Sequence, residues 1–226
     1  MLYKKQLNTT IIYAKNYILR DMMNENYDKR VLIDTKSLIW QKTVQDNVLK
    51  KLLSSDLDNE TALIKIEKNS TLNKNSKINS VEIFVLEGKY INQFGEFEVG
   101  TYLRLPKEDE AYVKTDIGCI NFRKINYFTD EQQIIIDTTS SRWLQGQGNL
   151  EVMPLYEQTA LVKWPKNEKF ISHKHWGGEE ILVLKGIFID EHGEYPQGYW
   201  IRSPHLSEHF PYVEEETIIL VKTGHL

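Results

Sequence analysis

The feature that most constrains this chain is that it repeats itself. Val81 to Gly88, VEIFVLEG, matches Glu179 to Gly186, EEILVLKG, at an offset of 98 (186 − 88). Without a gap the same offset pairs Gly95 with Gly193, Gly100 with Gly198, Arg104 with Arg202 and Pro106 with Pro204. Upstream, Ile33-Asp34-Thr35, Ser37 and Trp40 match Ile136-Asp137-Thr138, Ser140 and Trp143 at an offset of 103 (143 − 40), so one loop differs by five residues (103 − 98). Chance agreement of glycine, proline and tryptophan at fixed spacing is rare, and a fixed period sets the architecture before any residue chemistry is considered. The sequence therefore predicts two homologous domains of about a hundred residues each. They span residues 29–130 and 131–226, with the boundary between Tyr127 and Gln133. Residues 1–28 form an unassigned N-terminal extension, with a short helix predicted over Ile11 to Met23.

Within each half the texture is that of strands. Stretches such as Ile181-Leu182-Val183-Leu184 and Thr217-Ile218-Ile219-Leu220-Val221 are rich in β-branched residues and are separated by Gly, Pro and Asn turn signals. Many short strands with regular turns predict an all-β fold, a sandwich or barrel in each half. A chain of 226 residues can bury such cores without disulfides. It has one cysteine, Cys119, which reads as a small buried hydrophobe and has no partner for an internal bridge. The 28 Lys and Arg against 32 Asp and Glu give a net charge of −4 with no long block of one sign, which argues against nucleic acid and anionic membrane as partners. No apolar run reaches the roughly 18 residues of a spanning helix, and the N-terminus lacks the order of a secretory signal. The expected compartment is cytoplasmic.

Chemistry concentrates in the second half. His173-Lys174-His175-Trp176-Gly177-Gly178-Glu179 sets two imidazoles at i and i+2 and a carboxylate after a glycine turn. On a strand, i and i+2 point to one face about 6–7 Å apart, close enough for both imidazoles to hold one ion. Glu179 is in phase with Ile181 and Val183, and Glu180 with Leu182 and Leu184, so only one of the two carboxylates faces the imidazoles. Parity leaves that choice open. Likewise, of Tyr199 with Ile201 and Trp200 with Arg202, one pair faces inward and parity does not say which. His205 reads as a surface turn residue, His192 and His225 as exposed, and Glu214-Glu215-Glu216 as a solvated turn, while Glu208 and Tyr212 flank His209 as candidates to face the cavity.

The H-x-H-x3-E pattern of His173, His175 and Glu179, followed by Gly186, resembles the first motif of the cupin superfamily. Pro204-His205-Leu206-Ser207-Glu208-His209 resembles the second, with Leu206 where glycine is usual. More narrowly, GGEEILVLKG, DEHGEYPQGYWIRSPHLSEH and the closing VKTGHL resemble the cupin-like domain of the ChrR anti-sigma factor. The resemblance implies two tandem antiparallel jelly-roll barrels, and one divalent metal ion (Zn, Fe, Mn or Ni) held in the mouth of the second by His173, His175, Glu179 and His209. At the offset of 98 these four fall on Asn75, Lys77, Val81 and Ala111, so the first barrel lacks every ligand and is expected to be a pseudosymmetric structural support. Two classes of function follow from the resemblance: a metal-dependent dioxygenase acting on a small organic substrate, or a non-catalytic metal sensor. Direct sigma-factor inhibition is not among them, because no zinc-binding helical segment with paired cysteines is present. The expected partners are a small-molecule ligand and a second copy of the chain, as a homodimer.

Overall fold

The computed structural model describes residues 22–73, 78–106 and 112–226. The helix predicted over Ile11 to Met23 lies outside them except for its last two residues, and Met23 is in an isolated antiparallel bridge with Ser55. Asn75, Lys77 and Ala111 also lie outside the described residues.

Every regular element among the described residues is a strand, and every pairing is antiparallel. The first large sheet runs in the order Ile134–Asp137, Thr101–Pro106, Ser80–Asn92, Cys119–Ile125, Glu60–Ile66, Val48–Ser55, Gln41–Lys42. The second runs Val31–Asp34, Tyr199–Ser203, Glu179–Lys185, Thr217–Thr223, Thr159–Trp164, Glu151–Tyr156, Leu144–Gln145. These orders are the same under the sequence repeat, with one exchange. Val31–Asp34 of the first repeat lies on the edge of the second sheet, and Ile134–Asp137 of the second repeat lies on the edge of the first. Each barrel is thus completed by a strand of the other half.

The exchange explains the repeated Ile-Asp-Thr-x-Ser signature. Thr35 donates its hydroxyl to the Gly198 carbonyl at 2.7 Å, and Thr138 donates to Gly100 at 2.6 Å. Ser37 Oγ, at 2.8 Å, and Ser140 Oγ, at 3.4 Å, close the turns onto the carbonyls of Asp34 and Asp137. Arg202, fully buried, reaches from the second sheet to the carbonyls of Asn24 and Asn26, which lead into the first exchanged strand. Arg104 does the equivalent for the second, binding Asp130 and the Gln132 carbonyl.

Strands in the middle of these sheets are buried on both faces, which is why they read as nearly continuous apolar runs. In Glu179–Lys185, Ile181 and Val183 enter the lumen of the second barrel, while Leu182 and Leu184 enter a layer between the two sheets. The same alternation places Ile201 in the lumen with Tyr199 packed against it, and Trp200 in the layer between the sheets. That layer mixes both repeats, joining Leu63, Phe84, Tyr102 and Phe122 to Leu161, Leu182, Trp200 and Leu220. Two ion pairs cross it. Lys222 meets Glu82 at 2.6 Å and Lys124 meets Glu180 at 2.5 Å, with Tyr102 O–H donating to Glu82 and Trp200 N–H donating to Glu180. Burial alone would raise both carboxyls, but the facing ammoniums outweigh it and hold them below the ordinary carboxylate range. All three positions obey the 98-residue offset, with Tyr102 matched by Trp200, so the interface has an internal pseudo-twofold.

The buried Cys119 thiol sits in the first core, and burial pushes it up to about 11, as expected of a structural cysteine. The expectation for His225 is corrected: its side chain is only 12% exposed and Nε2 lies 3.1 Å from Glu180, because the C-terminal turn folds back over the crossed pair.

Candidate metal centre

The short strand His173–Lys174 pairs with Glu208–His209, so that His173 and His209 are directly opposed. His175 follows on the same face one step later, and its carbonyl accepts from both Gly178 N–H and Leu206 N–H. Gly177 and Gly178 have φ of +73° and +71°, and a Cβ on Gly177 would lie 2.6 Å from the Gly224 backbone. Only glycine fits that turn, which swings the chain into Glu179–Lys185 and presents Glu179 to the imidazoles. Leu206, in the place where the motif has glycine, takes φ +60°, so the turn keeps its glycine-like shape with a strained leucine.

Three of the four expected residues form one cluster, and Glu179 lies beside two of them. Ring nitrogens of His173, His175 and His209 all lie within 4.8 Å of one another, and this cluster could hold a metal ion. His175 Nε2 is 2.9 Å from His209 Nε2. Glu179 Oε1 is 3.6 Å from His175 Nε2, and Oε2 is 3.6 Å from His209 Nε2. Glu180 points the other way, to Lys124, Trp200 and His225. The buried Glu179 Oε2 has no hydrogen-bond partner. A carboxylate oxygen left in that state wants a cation. Burial pushes the Glu179 carboxyl up to about 7 against the pull of His209 and Arg30, and it lowers His175 to about 4, aided by the neighbouring imidazoles. Burial likewise lowers His173. Neutral imidazoles are the form that donates a lone pair to a metal.

Two residues outside the motif flank the cluster. The Ile171 carbonyl, 3.1 Å from His173 Nδ1, can only accept, so Nδ1 carries the proton and Nε2 faces the cluster. Asp190 Oδ2 lies 3.7 Å from His209 Nδ1, beyond hydrogen-bond length, and is the acidic neighbour on that side of the ring. Asp190 is fixed by Tyr195 O–H at 2.9 Å, by His192 N–H and by a short contact with Arg30. Arg30 precedes the exchanged strand, so the first repeat supports the site in the second. Of the remaining candidates, His205 Nδ1 accepts from Gly177 N–H at 2.8 Å and braces the turn. Glu208 is turned to solvent on Ser172 and Lys174, and Tyr212 bridges through its backbone to Ile189.

Two antiparallel barrels with an imidazole cluster at the mouth of one define the class: this is a double-barrelled cupin fold. The chain belongs to the ChrR cupin-like domain family, whose pattern matches residues 28–128 and 131–226. None of the curated proteins matches it by sequence. Among solved structures it is similar to a candidate dioxygenase from Nostoc punctiforme (TM-score 0.75, 12% identity, covering 92% of this chain and 85% of that one). It also resembles a cupin 2 conserved barrel domain protein from Leptotrichia buccalis (TM-score 0.60, 12% identity, 89% and 99% covered). A third is the bacterial pirin YhhW of Escherichia coli in complex with nickel(II) (TM-score 0.60, 10% identity, 86% and 98% covered). At such identities the likeness is one of fold. Among the described residues, no helix is long and apolar enough to cross a membrane.

Proposed function

We propose that the second barrel holds one divalent metal ion through His173, His175, His209 and Glu179, and that the protein is a metal-dependent dioxygenase of a small organic substrate. The observation that carries the metal is the orphaned Oε2 of the buried Glu179, beside three imidazoles whose nitrogens converge. Three neutral imidazoles and one carboxylate leave a divalent site with net charge +1, a donor set that suits iron, manganese, nickel or zinc. When bound, the ion would supply a Lewis acid for a small oxygen-donor molecule. The protein's own part is to hold these ligands in register through the glycine turn, to fix the tautomer of His173, and to keep Glu179 out of water. The segments around the ligands expose Ile171, Trp176, Leu206 and Phe210, which suits a substrate with an apolar part.

A second reading, a metal-responsive regulatory module, is favoured by one observation: Glu208, a candidate to face the cavity, makes its contacts with Ser172 and Lys174, away from the cluster. Elemental analysis of protein purified without added metal, followed by oxygen uptake with small diketones and phenols, separates the two. One equivalent of metal with oxygen consumption supports the dioxygenase. One tightly held zinc without oxygen consumption supports the regulatory module. No bound metal after loading overturns both.

A further inference from the structure

The two barrels are not filled alike. In the second, Trp164, Phe170 and Phe188 stack across the lumen with ring centroids 4.9 and 5.6 Å apart, beside Ile219 and Val221. The offset of 98 puts Ile66, Leu72, Tyr90, Asn121 and Arg123 at these five places. The ladders agree: Asn121 is opposite Ile64 and Arg123 opposite Ala62, as Ile219 is opposite Val162 and Val221 opposite Ala160. The first barrel has therefore replaced two large aromatic fillers by aliphatic ones and two aliphatic residues by polar ones. At that place it has a cavity of about 990 Å³, whose walls include Val48, Ile64, Ile66, Leu72 and Val113. This is the size of a small-molecule site, with an apolar wall on one side and a polar one that includes Lys42, Lys50, Asp56, Asp58, Glu60 and Arg123.

The polar groups are incompletely satisfied. Asn121 is 1% exposed, lines the cavity, and its Oδ1 has no hydrogen-bond partner. Arg123 lines it too, with a buried Nε that has no partner. The nearest anion, Glu60, is taken by Lys50 at 2.7 Å and stands 3.8 Å from the Arg123 guanidinium. Asp56 and Asp58 line the cavity as well, but Asp56 accepts from Tyr27 and Asn59, and the Arg123 guanidinium keeps an unspent donor, which suits a carboxylate.

We propose that the first barrel is a second ligand site, which takes a small carboxylic acid with an apolar body, its carboxylate on Arg123 and its body against Ile64, Ile66 and Leu72. A hydroxyl or N–H on the ligand would satisfy Asn121. On this reading the barrel that lost its metal ligands is a binding domain and not only a support.

The test is calorimetric titration of the full chain with octanoate and 3-phenylpropionate, each beside the corresponding alcohol. Saturable one-to-one binding is expected, with the acid about tenfold tighter than the alcohol, the value of one charge-assisted hydrogen bond. Arg123→Met should remove that preference. Ile66→Trp, or the milder Leu72→Phe, should weaken acid and alcohol alike by filling the lumen as the second barrel does, while metal content stays at the wild-type level and so shows that the chain is folded. His173→Ala should bind the acids unchanged. The proposal is overturned by no saturable binding at millimolar acid, by equal binding of acid and alcohol, or by full binding in both lumen-filling variants. Loss of binding in His173→Ala would also overturn it, by placing the acid at the metal centre.

Discussion

At the scale of single residues, the decisive contrast is between two adjacent carboxylates. Glu179 and Glu180 differ only in strand parity, and parity in the sequence does not reveal which face is the lumen. The structure places Glu179 among the imidazoles and Glu180 on Lys124. Replacing His173 or His209 with alanine should strip the metal, read by elemental analysis after dialysis, because one of four donors is lost. Glu180→Ala should keep the metal but lose about 3 kcal/mol of stability in chemical denaturation, because Lys124 is then a buried charge without its partner. Metal retained by Glu179→Ala and lost by Glu180→Ala would reverse the assignment. The pH dependence follows from the same residue. Without metal, Glu179 keeps its proton up to about pH 7, so binding below that pH must expel it. Affinity should fall at least about tenfold per pH unit below 7, level off above it, and fall more steeply near pH 4 where His175 protonates. A metal titration with proton release measured from pH 5.5 to 8 checks this, and no proton release at pH 6 would contradict it. The candidate metal residues were legible because their chemistry is concentrated in two short motifs. Asp190 and Arg30 were not, since one sits in an ordinary turn and the other is 143 residues (173 − 30) from the nearest imidazole of the motif.

At the scale of elements, the repeat foretold matching strands, and the sheet orders do match. It did not foretell the exchange of Val31–Asp34 and Ile134–Asp137, because a strand carries the same apolar alternation whichever sheet receives it. The repeated Thr was visible as a signal, yet its acceptor, the glycine turn of the other half, appears only in three dimensions. The exchanged strand bears on the proposed metal centre because Arg30 at its entrance fixes Asp190, which lies beside His209. Arg30→Gln should therefore weaken metal binding about tenfold, the lower end of what loss of an orienting partner costs. Arg104→Gln removes an anchor of the other exchanged strand, the counterpart of Arg202, and should leave metal affinity unchanged. Competition titration with a chromophoric chelator compares the two. Equal affinities in both variants would mean that the exchanged strand supports the barrel without tuning the centre.

At the scale of the whole molecule, the internal pseudo-twofold makes a prediction about the second half alone. A fragment of residues 134–226 lacks Val31–Asp34, so the edge at Tyr199–Ser203 is open and the layer containing Leu161, Leu182, Trp200 and Leu220 is bare. Exposed apolar surface of this kind is unfavourable at about 25 cal/mol per Å², and an unpaired edge invites another strand. The fragment carries its own remedy. Ile134–Asp137 is the repeat counterpart of Val31–Asp34, and Ile136 opposite Tyr102 occupies the register of Ile33 opposite Trp200. Lys222 is likewise the counterpart of Lys124, so Glu180 of one copy can meet Lys222 of another where it now meets Lys124. Two copies can therefore exchange strands and cross ion pairs as the two halves of the chain do, an isologous arrangement with closed symmetry. The fragment should be a homodimer that binds two metal ions, one per copy, with aggregation at low concentration of the exchanged form. Sedimentation velocity with metal analysis reads both quantities. A stable monomer that binds metal with the affinity of the full chain would show that the exchanged strand and the shared layer are dispensable, and that the two barrels are independent units joined only by sequence.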